Sequence, residues 1–226
     1  MSFVIAIDGP AGSGKGTITK ELAKRIGFYR FESGALYRFV TLEVLKNNIS
    51  LDDVKKIVDI AKSMKVEFVE HSQGIDDVLL NGVDVTLMIR TNKVNENVSK
   101  VSMIKELRVE INEIIREISK EKNTIMEGRD IGTVVFPNAD LKIYLDADIK
   151  ERAKRRYKEN VEKGINTTEK EVLESLINRD ELDCSRKIGP LKIADDAVVI
   201  DSTFLTIDEA VEKVIEIYNE VLSRRI

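Results

Sequence analysis

A glycine-rich segment near the N-terminus constrains the fold of this chain more than any other feature. A largely apolar run, residues 3–7, leads through Asp8 into Gly9-Pro10-Ala11-Gly12-Ser13-Gly14-Lys15-Gly16-Thr17, and apolar residues at helical spacing follow. This order predicts a strand, a loop and a helix. In such a loop the glycines let backbone N–H groups turn inward, and the helix dipole and Lys15 add positive charge. The segment therefore predicts a site for the phosphate groups of a nucleoside triphosphate.

The loop departs at one position from the general phosphate-loop pattern. Gly9-x-x-x-x-Gly14-Lys15 fits the pattern, but Gly16 stands where Ser or Thr is usual, and the hydroxyl comes one residue later at Thr17. This variant resembles the form found in nucleoside monophosphate kinases. A merely flexible glycine loop is the alternative, and the agreement of strand, glycine spacing, lysine, hydroxyl and helix disfavours it.

Length and composition favour one core with an appended subdomain. The chain has 226 residues, 42% of them hydrophobic, and a net charge of −4, which argues against nucleic-acid binding through a global basic surface. Its single cysteine, Cys184, excludes an intramolecular disulfide and a cysteine-based metal site. No apolar run approaches the roughly 18 residues of a membrane span, and no signal segment is evident. We expect a cytoplasmic protein with no nucleic-acid or membrane partner.

Strand-like and helical segments alternate along the chain, which predicts an α/β fold. Strand-like runs occur at residues 3–7, 28–31, 124–126, 141–145 and 197–200. Between them, three shorter runs at residues 66–69, 78–80 and 83–85, with the turn pair Asn81-Gly82, predict a small antiparallel insertion. The only histidine, His71, falls in a loop of this insertion, and we expect it at the surface.

Local cap signals predict where several helices begin. Ser50 to Asp53 has the form of a capping box and predicts a helix reaching to about Met64. Thr168 and Thr206, each with Glu three residues later, predict two further helix starts. Helices are also expected at residues 91–100 and 104–119.

Four segments carry candidate site residues besides the glycine loop. Glu127 to Thr133 follows a buried-looking strand, at the kind of strand end where open α/β sheets bind ligands. Ser33 is either the N-cap of a helix or, with Arg38, a contact to a second anion.

Two further segments carry charged residues on a predicted helix, and each of them has a structural and a functional interpretation. Six of the nine residues at 150–158 are basic, which predicts either a solvated helix face or an arginine-bearing lid over a triphosphate. Arg179, Asp183 and Arg186 recur on one helix face, either as salt bridges along the helix or as part of a site.

Together these motifs resemble the bacterial cytidylate kinase family. The resemblance spans nearly the whole chain, and its narrowest signatures are residues 128–137 and the hairpin insertion. It implies an enzyme of pyrimidine nucleotide metabolism that transfers the γ-phosphoryl group of ATP to CMP or dCMP, giving CDP or dCDP, with Mg²⁺. The implied fold is a phosphate-loop NTPase-like parallel sheet flanked by helices, with the antiparallel insertion in the acceptor-binding domain.

The resemblance also implies a domain layout and residue roles. The core would comprise residues 1–32, 102–149 and 187–226, the acceptor-binding subdomain 33–101 with its insertion at 65–88, and the lid 150–186. ATP would be held by Gly9 to Thr17 with the lid residues Arg152 and Arg156. The groups acting on the transferring phosphoryl would be Lys15, Arg129, Arg186 and Arg155. The acceptor would be bound by Ser33, Arg38, Ser99, Arg108, Arg129, Asp130, Arg179, Asp183 and Arg186.

Within that set, the resemblance gives each acceptor group its own contacts. Ser99, Arg108 and Asp130 would read the cytosine, and Arg179 with Asp183 would contact the pentose. No direct protein ligand to Mg²⁺ is expected apart from Thr17 as a candidate. We expect a monomer whose lid closes over both substrates.

Other phosphate-loop proteins are the alternatives. A GTPase needs an Asn-Lys-x-Asp motif, and the nearest match, Asn92-Lys93-Val94-Asn95, ends in Asn. A nucleic-acid motor would show an acidic pair and a basic track, for which Met126-Glu127 is a weak match. A kinase of UMP or of another small metabolite is the nearer rival, and a non-catalytic nucleotide-binding module the most distant.

Overall fold

The computed structural model describes residues 2–69, 77–162 and 164–224. Part of the insertion, including His71, lies outside the described residues. The chain divides into two compact units: the first unit comprises Met1–Arg30 and Glu121–Ile226, and the second unit comprises Phe31–Lys120.

The elements alternate as the sequence predicts. In chain order the strands are β1 (Val4–Asp8), β2 (Tyr29–Glu32), β3 (Val66–Val69), β4 (Asp77–Leu80), β5 (Val83–Asp84), β6 (Thr124–Gly128), β7 (Leu141–Asp146) and β8 (Val198–Asp201). The α-helices are α1 (Lys15–Ile26), α2 (Ser33–Lys46), α3 (Val54–Lys62), α4 (Asn92–Val101), α5 (Lys105–Ile118), α6 (Ile149–Glu162), α7 (Glu169–Ser185) and α8 (Ile207–Ser223). A 3₁₀ turn, Met88–Arg90, and a turn of π-helix, Ile131–Val135, complete the described elements.

The main sheet places two loops at one edge. Its strand order is β2-β6-β1-β7-β8, and β1 pairs in parallel with both β6 and β7. The apolar sequence of β1 suits this central position, where both faces of a strand are covered. At its C-terminal end Asp8 lies opposite Gly128 of β6 and Tyr144 of β7. The glycine loop and the segment after β6 therefore leave the sheet side by side, at the edge where parallel sheets bind ligands.

Helices α1 and α8 pack together over the core of the first unit. Branched aliphatic side chains of β1, β6 and β7 form the centre of that core. At one end Phe3, Phe28 and Tyr218 make edge-to-face contacts with centroids 5.2 to 5.9 Å apart. These apolar contacts fix the strand that carries the glycine loop.

Helices α6 and α7 pack on each other and reach the glycine loop through a second, smaller core. Ala11 of the loop is buried with Ala153, Val172 and Leu176. The basic run of residues 150–158 is thus part of a helix that is anchored to the loop on its apolar side.

The second unit is built from helices and a small sheet. Helix α2 packs against α3 and α4, and α3 packs against α5. The antiparallel sheet has the order β3-β4-β5, and Asn81 and Gly82 turn the hairpin with φ of 54° and 77°. Positive φ at both positions is what a tight hairpin requires, so the predicted insertion is confirmed for its described residues.

Strand predictions hold better than two of the cap predictions. All five strands of the main sheet are confirmed to within one or two residues, and Thr168 and Thr206 form complete capping boxes. Helix α3 instead begins after Asp53, whose carboxylate accepts the N–H of Lys56, so Ser50 does not open it. Helix α2 starts at Ser33 itself, with Glu32 in the N-cap position and no side-chain cap bond, so the N-cap prediction for Ser33 is wrong.

Across the described ranges, no helix combines the length and the apolar character that a bilayer crossing demands.

Candidate active site

Two glycines give the loop its shape. A Cβ at Gly9 would lie 2.1 Å from the carbonyl oxygen of Leu145, so only glycine fits there against β7. Gly14 has φ of 90° in the N-cap position of α1, a conformation that other residues rarely adopt. These two positions explain why the glycine spacing is tied to the strand before the loop and to the helix after it.

Lys15 is folded back onto the loop that carries it. Its ammonium donates to the carbonyl oxygens of Gly9 and Pro10, at 2.7 Å each, and to the Ser13 hydroxyl at 3.2 Å. The side chain is buried, and the described loop atoms around it are oxygen acceptors. An ammonium held by three oxygens is poised to exchange these partners for the oxygens of a phosphate chain.

Burial and charges of both signs act on Lys15. Burial lowers the pKa of Lys15 well below its ordinary value, and the charges of Arg129 and Arg179 push it in the same direction. Glu127 and Asp8 oppose the shift without cancelling it. Because burial disfavours the charged form of Lys15 and the two arginines add to this effect, a bound polyanion would stabilise the ammonium. The electrostatics of the loop therefore favour an anionic ligand.

A buried carboxylate joins two of the predicted site arginines. Asp183 on α7 accepts a hydrogen bond from Arg129 Nε at 2.7 Å through one oxygen, and from Arg186 through the other. Burial alone would raise the pKa of Asp183, but Arg129, Arg186 and Arg179 outweigh it, so this pKa lies below its ordinary value. Asp183 thus holds two guanidinium groups in fixed positions, although spacing along α7 suggested only a helix face.

Asp8, which the sequence analysis did not single out, is a buried carboxylate directly before the glycine loop. Its two carboxylate oxygens accept the N–H groups of Ile131 and Gly132, each at 2.8 Å. Burial raises the pKa of Asp8 to about 6, the charge of Asp130 adds to the rise, and the two N–H groups and Lys15 lower it. The available signal was an acidic residue at the end of a buried strand, directly before the glycine loop.

Glu127 and Arg30 form a second arrangement that the sequence prediction did not assign. Arg30 donates to Glu127 at 2.7 Å and to the hydroxyl of Thr19 on α1 at 2.8 Å. The pair lies beside Gly16, where an added methyl group would make ordinary contacts of 3.7 Å with both side chains. Space alone therefore does not require glycine at position 16.

The three lid arginines have different surroundings. Arg152 is buried and donates to the carbonyls of Ala147 and Ala11, at 3.0 Å each, and to Asp180 at 2.7 Å. Arg155 donates to the carbonyls of Ser202 and Thr203, at 2.8 and 2.9 Å.

Their distances from the loop differ accordingly. A Cβ at Gly14 would lie 4.0 Å from the guanidinium of Arg155. Arg156 is half-exposed and pairs with Glu159 one turn along its own helix. Arg152 and Arg155 therefore border the glycine loop, whereas Arg156 bonds within α6.

The second unit holds the remaining predicted residues. Arg38 on α2 donates to Ile89 O at 3.2 Å and to the side chain of Asn95. Arg108 on α5 is almost fully buried, with its guanidinium 5.4 Å from the ring centroid of Tyr37 and a bond to Ser102 O. Ser33 and Ser99 are buried on α2 and α4. Four separate elements within this unit, counting the 3₁₀ turn of Ile89, thus meet around buried polar groups.

Metal-binding side chains are sparse in the described ranges. No group of three or more His, Cys, Asp or Glu residues there is placed to hold a metal ion. The hydroxyl of Thr17, exposed in the first turn of α1, is an oxygen donor of the type that Mg²⁺ prefers. The residues fit a magnesium ion that is held chiefly by ligand phosphates.

Comparison with known proteins agrees with this geometry. The family model described as cytidylate kinase matches residues 5–220. A cytidylate kinase from Fusobacterium nucleatum is 50% identical over 210 residues, covering 93% of this chain and 94% of the relative. One from Caldicellulosiruptor bescii is 46% identical over 222 residues, covering 98% of each.

A third relative and one solved structure extend the comparison. A cytidylate kinase from Clostridioides difficile is 44% identical over 218 residues, covering 96% of this chain and 99% of the relative. A crystal structure of an uncharacterized protein from Eubacterium ventriosum superimposes with a TM-score of 0.55 at 13% identity, covering 96% of this chain and 99% of that one. The structural likeness supports the fold alone, whereas the sequence relatives identify the family.

Proposed function

The chain belongs to the cytidylate kinase family, and on that premise we propose that it transfers the γ-phosphoryl group of ATP to CMP and dCMP. It is a nucleoside monophosphate kinase, and its products are CDP and dCDP. The observation that carries the proposal is a cluster of cations in the first unit: the buried ammonium of Lys15 on the glycine loop, and Arg129 with Arg186, which Asp183 holds in place. Such a cluster suits a reaction in which two anionic phosphate chains are brought together.

ATP is the phosphoryl donor, and the glycine loop is its proposed binding element. Residues Gly9 to Thr17 would surround the β- and γ-phosphates, with the Lys15 ammonium turning from the loop carbonyls to the phosphate oxygens. Mg²⁺, bound through those phosphates with Thr17 as the candidate protein ligand, would neutralise part of their charge. Arg152 and Arg156 are the lid residues proposed to contact ATP.

Among the lid arginines, we assign the γ-phosphate contact to Arg155. Its guanidinium lies nearest Gly14 and bonds through one terminal nitrogen to two backbone carbonyls, which a phosphate oxygen can replace at little cost in burial. It also pairs with Glu151 on the same helix, at 3.3 Å. Arg152 is instead tied to Ala11 and Asp180, which makes it a poorer candidate for movement.

The acceptor phosphate is proposed to meet arginines in each unit. In the first unit, Arg129 and Arg186 are held by Asp183 with their donors partly committed, and a phosphate would compete for them. In the second unit, Ser33 and Arg38 are the proposed contacts. Arg179 with Asp183 is proposed to contact the pentose.

Base recognition is assigned to three residues. Asp130 is the carboxylate proposed to accept a hydrogen bond from the cytosine amino group, with Arg108 and Ser99 of the second unit as donors to its ring acceptors. Uracil carries a carbonyl oxygen where cytosine has the amino group, so it would meet Asp130 acceptor to acceptor. A buried charge left without its partner costs on the order of 2 to 5 kcal/mol.

The reaction needs no general base from the protein. The second pKa of a phosphate monoester is about 6, so the acceptor is mostly a dianion near neutral pH and already nucleophilic. The protein must instead align the two phosphates, neutralise the transferring group with Lys15, Arg129, Arg155 and Arg186, and exclude water. Arginine side chains and backbone N–H groups can meet these requirements without a general base.

The layout and context are part of the same proposal. The proposed layout has the core at residues 1–32, 102–149 and 187–226, the acceptor-binding subdomain at 33–101 and the lid at 150–186. The compact units differ from it chiefly at residues 102–120, which include α5 and belong to the second unit. A monomer in the cytoplasm, where ATP is made and used, completes the proposal.

A coupled assay of ADP formation with CMP, dCMP, UMP and AMP tests the activity and its acceptor. We expect kcat/KM for CMP to exceed that for UMP by about 30-fold or more, the factor that corresponds to the lower end of the unpaired-charge penalty. A kinase of UMP or of another small metabolite would show comparable values for UMP and CMP, or no turnover of either. ATP hydrolysis without any acceptor would instead favour a phosphate-loop NTPase of another class.

A further inference from the structure

The turn that follows Asp130 lacks its own cap. In the π-helical turn Ile131–Val135, the N–H groups of Val134 and Val135 bond to Asp130 O, and that of Phe136 bonds to Ile131 O. The first N–H groups of such a turn have no partner inside it. Asp130 occupies the cap position but makes no side-chain cap bond.

Asp8 supplies that cap from another strand. Its oxygens take the N–H groups of Ile131 and Gly132, the two residues directly after Asp130, across a sequence separation of 123 and 124 residues. Only 5% of Asp8 is exposed, so water does not compete for the bonds. Gly132 also packs closely on Lys142, because a Cβ there would lie 3.1 Å from Lys142 Cδ, whereas its distance of 3.5 Å from Asp8 Oδ2 would be an ordinary contact.

We propose that Asp8 is a positioning residue for acceptor recognition, which fixes the Asp130 backbone relative to the start of the glycine loop. The inference rests on the proposed function, because that function assigns the cytosine contact to Asp130. Asp8 touches neither nucleotide in this account. It joins the end of β1, directly before Gly9, to the turn that directly follows Asp130. One carboxylate thus sets the distance between the donor loop and the base-reading group.

The geometry predicts a selective kinetic effect. Asp8→Asn keeps the size of the side chain but has one oxygen for two N–H groups, and its NH₂ faces the other N–H. The turn would shift while Gly9 to Thr17 keep their own contacts to Leu145 and α6. We therefore expect KM for CMP to rise about tenfold or more, KM for ATP to change less than about threefold, and the preference for CMP over UMP to fall.

Asp140→Asn is the matched control. Asp140 also uses a carboxylate oxygen to accept a backbone N–H of β1, that of Val4 at 2.6 Å, at the opposite end of the strand. The substitution is again Asp to Asn and affects a hydrogen bond to the same strand, but the bond from Val4 to Asp140 is remote from Asp130. We expect both KM values to stay within about twofold of the unsubstituted enzyme.

A second variant and a second measurement cover the case in which Asp8→Asn does not fold. Gly132→Ala crowds the turn against Lys142, 3.1 Å from the added Cβ, and leaves the Asp8 carboxylate intact. If the position of this turn sets acceptor recognition, we expect the same selective rise in KM for CMP. Hydrogen exchange of the peptide covering residues 131–135 should be faster in either variant and unchanged in Asp140→Asn.

The outcomes separate the two proposals. If the unsubstituted enzyme does not phosphorylate CMP, the proposed function fails. If it does, and Asp8→Asn or Gly132→Ala leaves the KM for CMP unchanged or raises both KM values equally, the positioning role is overturned and the proposed function stands.

Discussion

At the scale of single residues, the chemistry of this site depends on groups whose charge is unfavourable in the unliganded chain. Lys15 is buried beside Arg129 and Arg179, and Asp8 is buried close to Asp130. Burial disfavours the charged form of each group, and hydrogen bonds within the protein offset part of this cost. At Lys15, stability is thereby given up at a position where an anionic substrate would supply the missing opposite charge.

The cost of burying Asp8 can be measured as a dependence of protein stability on pH. Its pKa rises on folding from 3.8 to about 6, so between these values the folded chain binds more protons than the unfolded chain. Its contribution to the free energy of unfolding therefore falls as pH rises through this interval, by about 3 kcal/mol in total. Asp8→Asn cannot titrate. We expect the stability of the unsubstituted protein relative to this variant to decrease from pH 4 to pH 7, measured by urea unfolding at each pH.

Comparing the unsubstituted protein with Asp8→Asn removes the contribution of the other titrating groups to the pH dependence of stability. Carboxylates with lowered pKa values, such as Asp183, change stability in the opposite direction over the acid range in both proteins and cancel in the difference. The charged groups that act on Asp8 are Asp130 and Lys15, and both are retained. A stability difference that does not vary with pH would show that Asp8 is ionised in the fold without penalty.

At the scale of elements, the sequence predicted features that depend on neighbouring residues and missed contacts between residues that are far apart in the chain. The capping boxes at Thr168 and Thr206 close within three residues, and the strands follow from apolar runs, so both could be predicted. The bond from Arg129 to Asp183 spans 54 residues, and those from Asp8 span more than twice as many. No spacing rule contains such pairs, because they arise only when the sheet order brings strand ends together.

The two wrong cap predictions have a different physical origin. Ser50 and Asp53 both have side chains that can cap a helix, and the structure uses Asp53. Its carboxylate accepts the backbone N–H of Lys56 and pairs with the ammonium of the same residue. Competing local caps within one turn have similar free energies, so sequence alone does not rank them. The site residues carried over by family resemblance remain predictions, although the structure brings Arg129, Asp183 and Arg186 into contact.

Helix α6 offers a prediction at this scale, because two of its arginines differ in their partners. Arg152→Ala removes bonds to Ala147, Ala11 and Asp180 and leaves a half-buried carboxylate without its cation. We expect a loss of about 2 to 4 kcal/mol of stability, seen as a lower urea midpoint, and a raised KM for ATP because the loop loses its anchor.

Arg156→Ala is its control on the same helix. Arg156 pairs only with Glu159 among the described ion pairs, with 37% of its side chain exposed, and such surface pairs contribute at most about 0.5 kcal/mol. We expect the urea midpoint to stay nearly unchanged. Equal losses in the two variants would mean that the buried bonds of Arg152 do not hold α6 to the glycine loop.

At the scale of the whole molecule, base discrimination should be visible as stability without any turnover. A ligand present at 100 times its Kd stabilises a protein by about 2.7 kcal/mol. For a chain of this length that corresponds to a rise of roughly 5 to 10 °C in Tm. UMP, if it leaves Asp130 opposite an acceptor, binds at least 30-fold more weakly by the unpaired-charge penalty, and at the same concentration it should raise Tm by about 3 °C or less.

Replacing the Asp130 carboxylate by an amide tests whether this residue recognises the base. The amide of Asp130→Asn can present either an oxygen or an NH₂ group, so it can face cytosine or uracil. We expect the Tm shifts for CMP and UMP to converge in this variant and to stay apart in Asp195→Asn, which removes a charge at an exposed position. Because no ATP is present, the result is independent of the phosphate-transfer groups. Equal shifts for the two nucleotides in the unsubstituted protein would contradict the assignment of Asp130 to the base and leave the donor site to explain the preference of the enzyme.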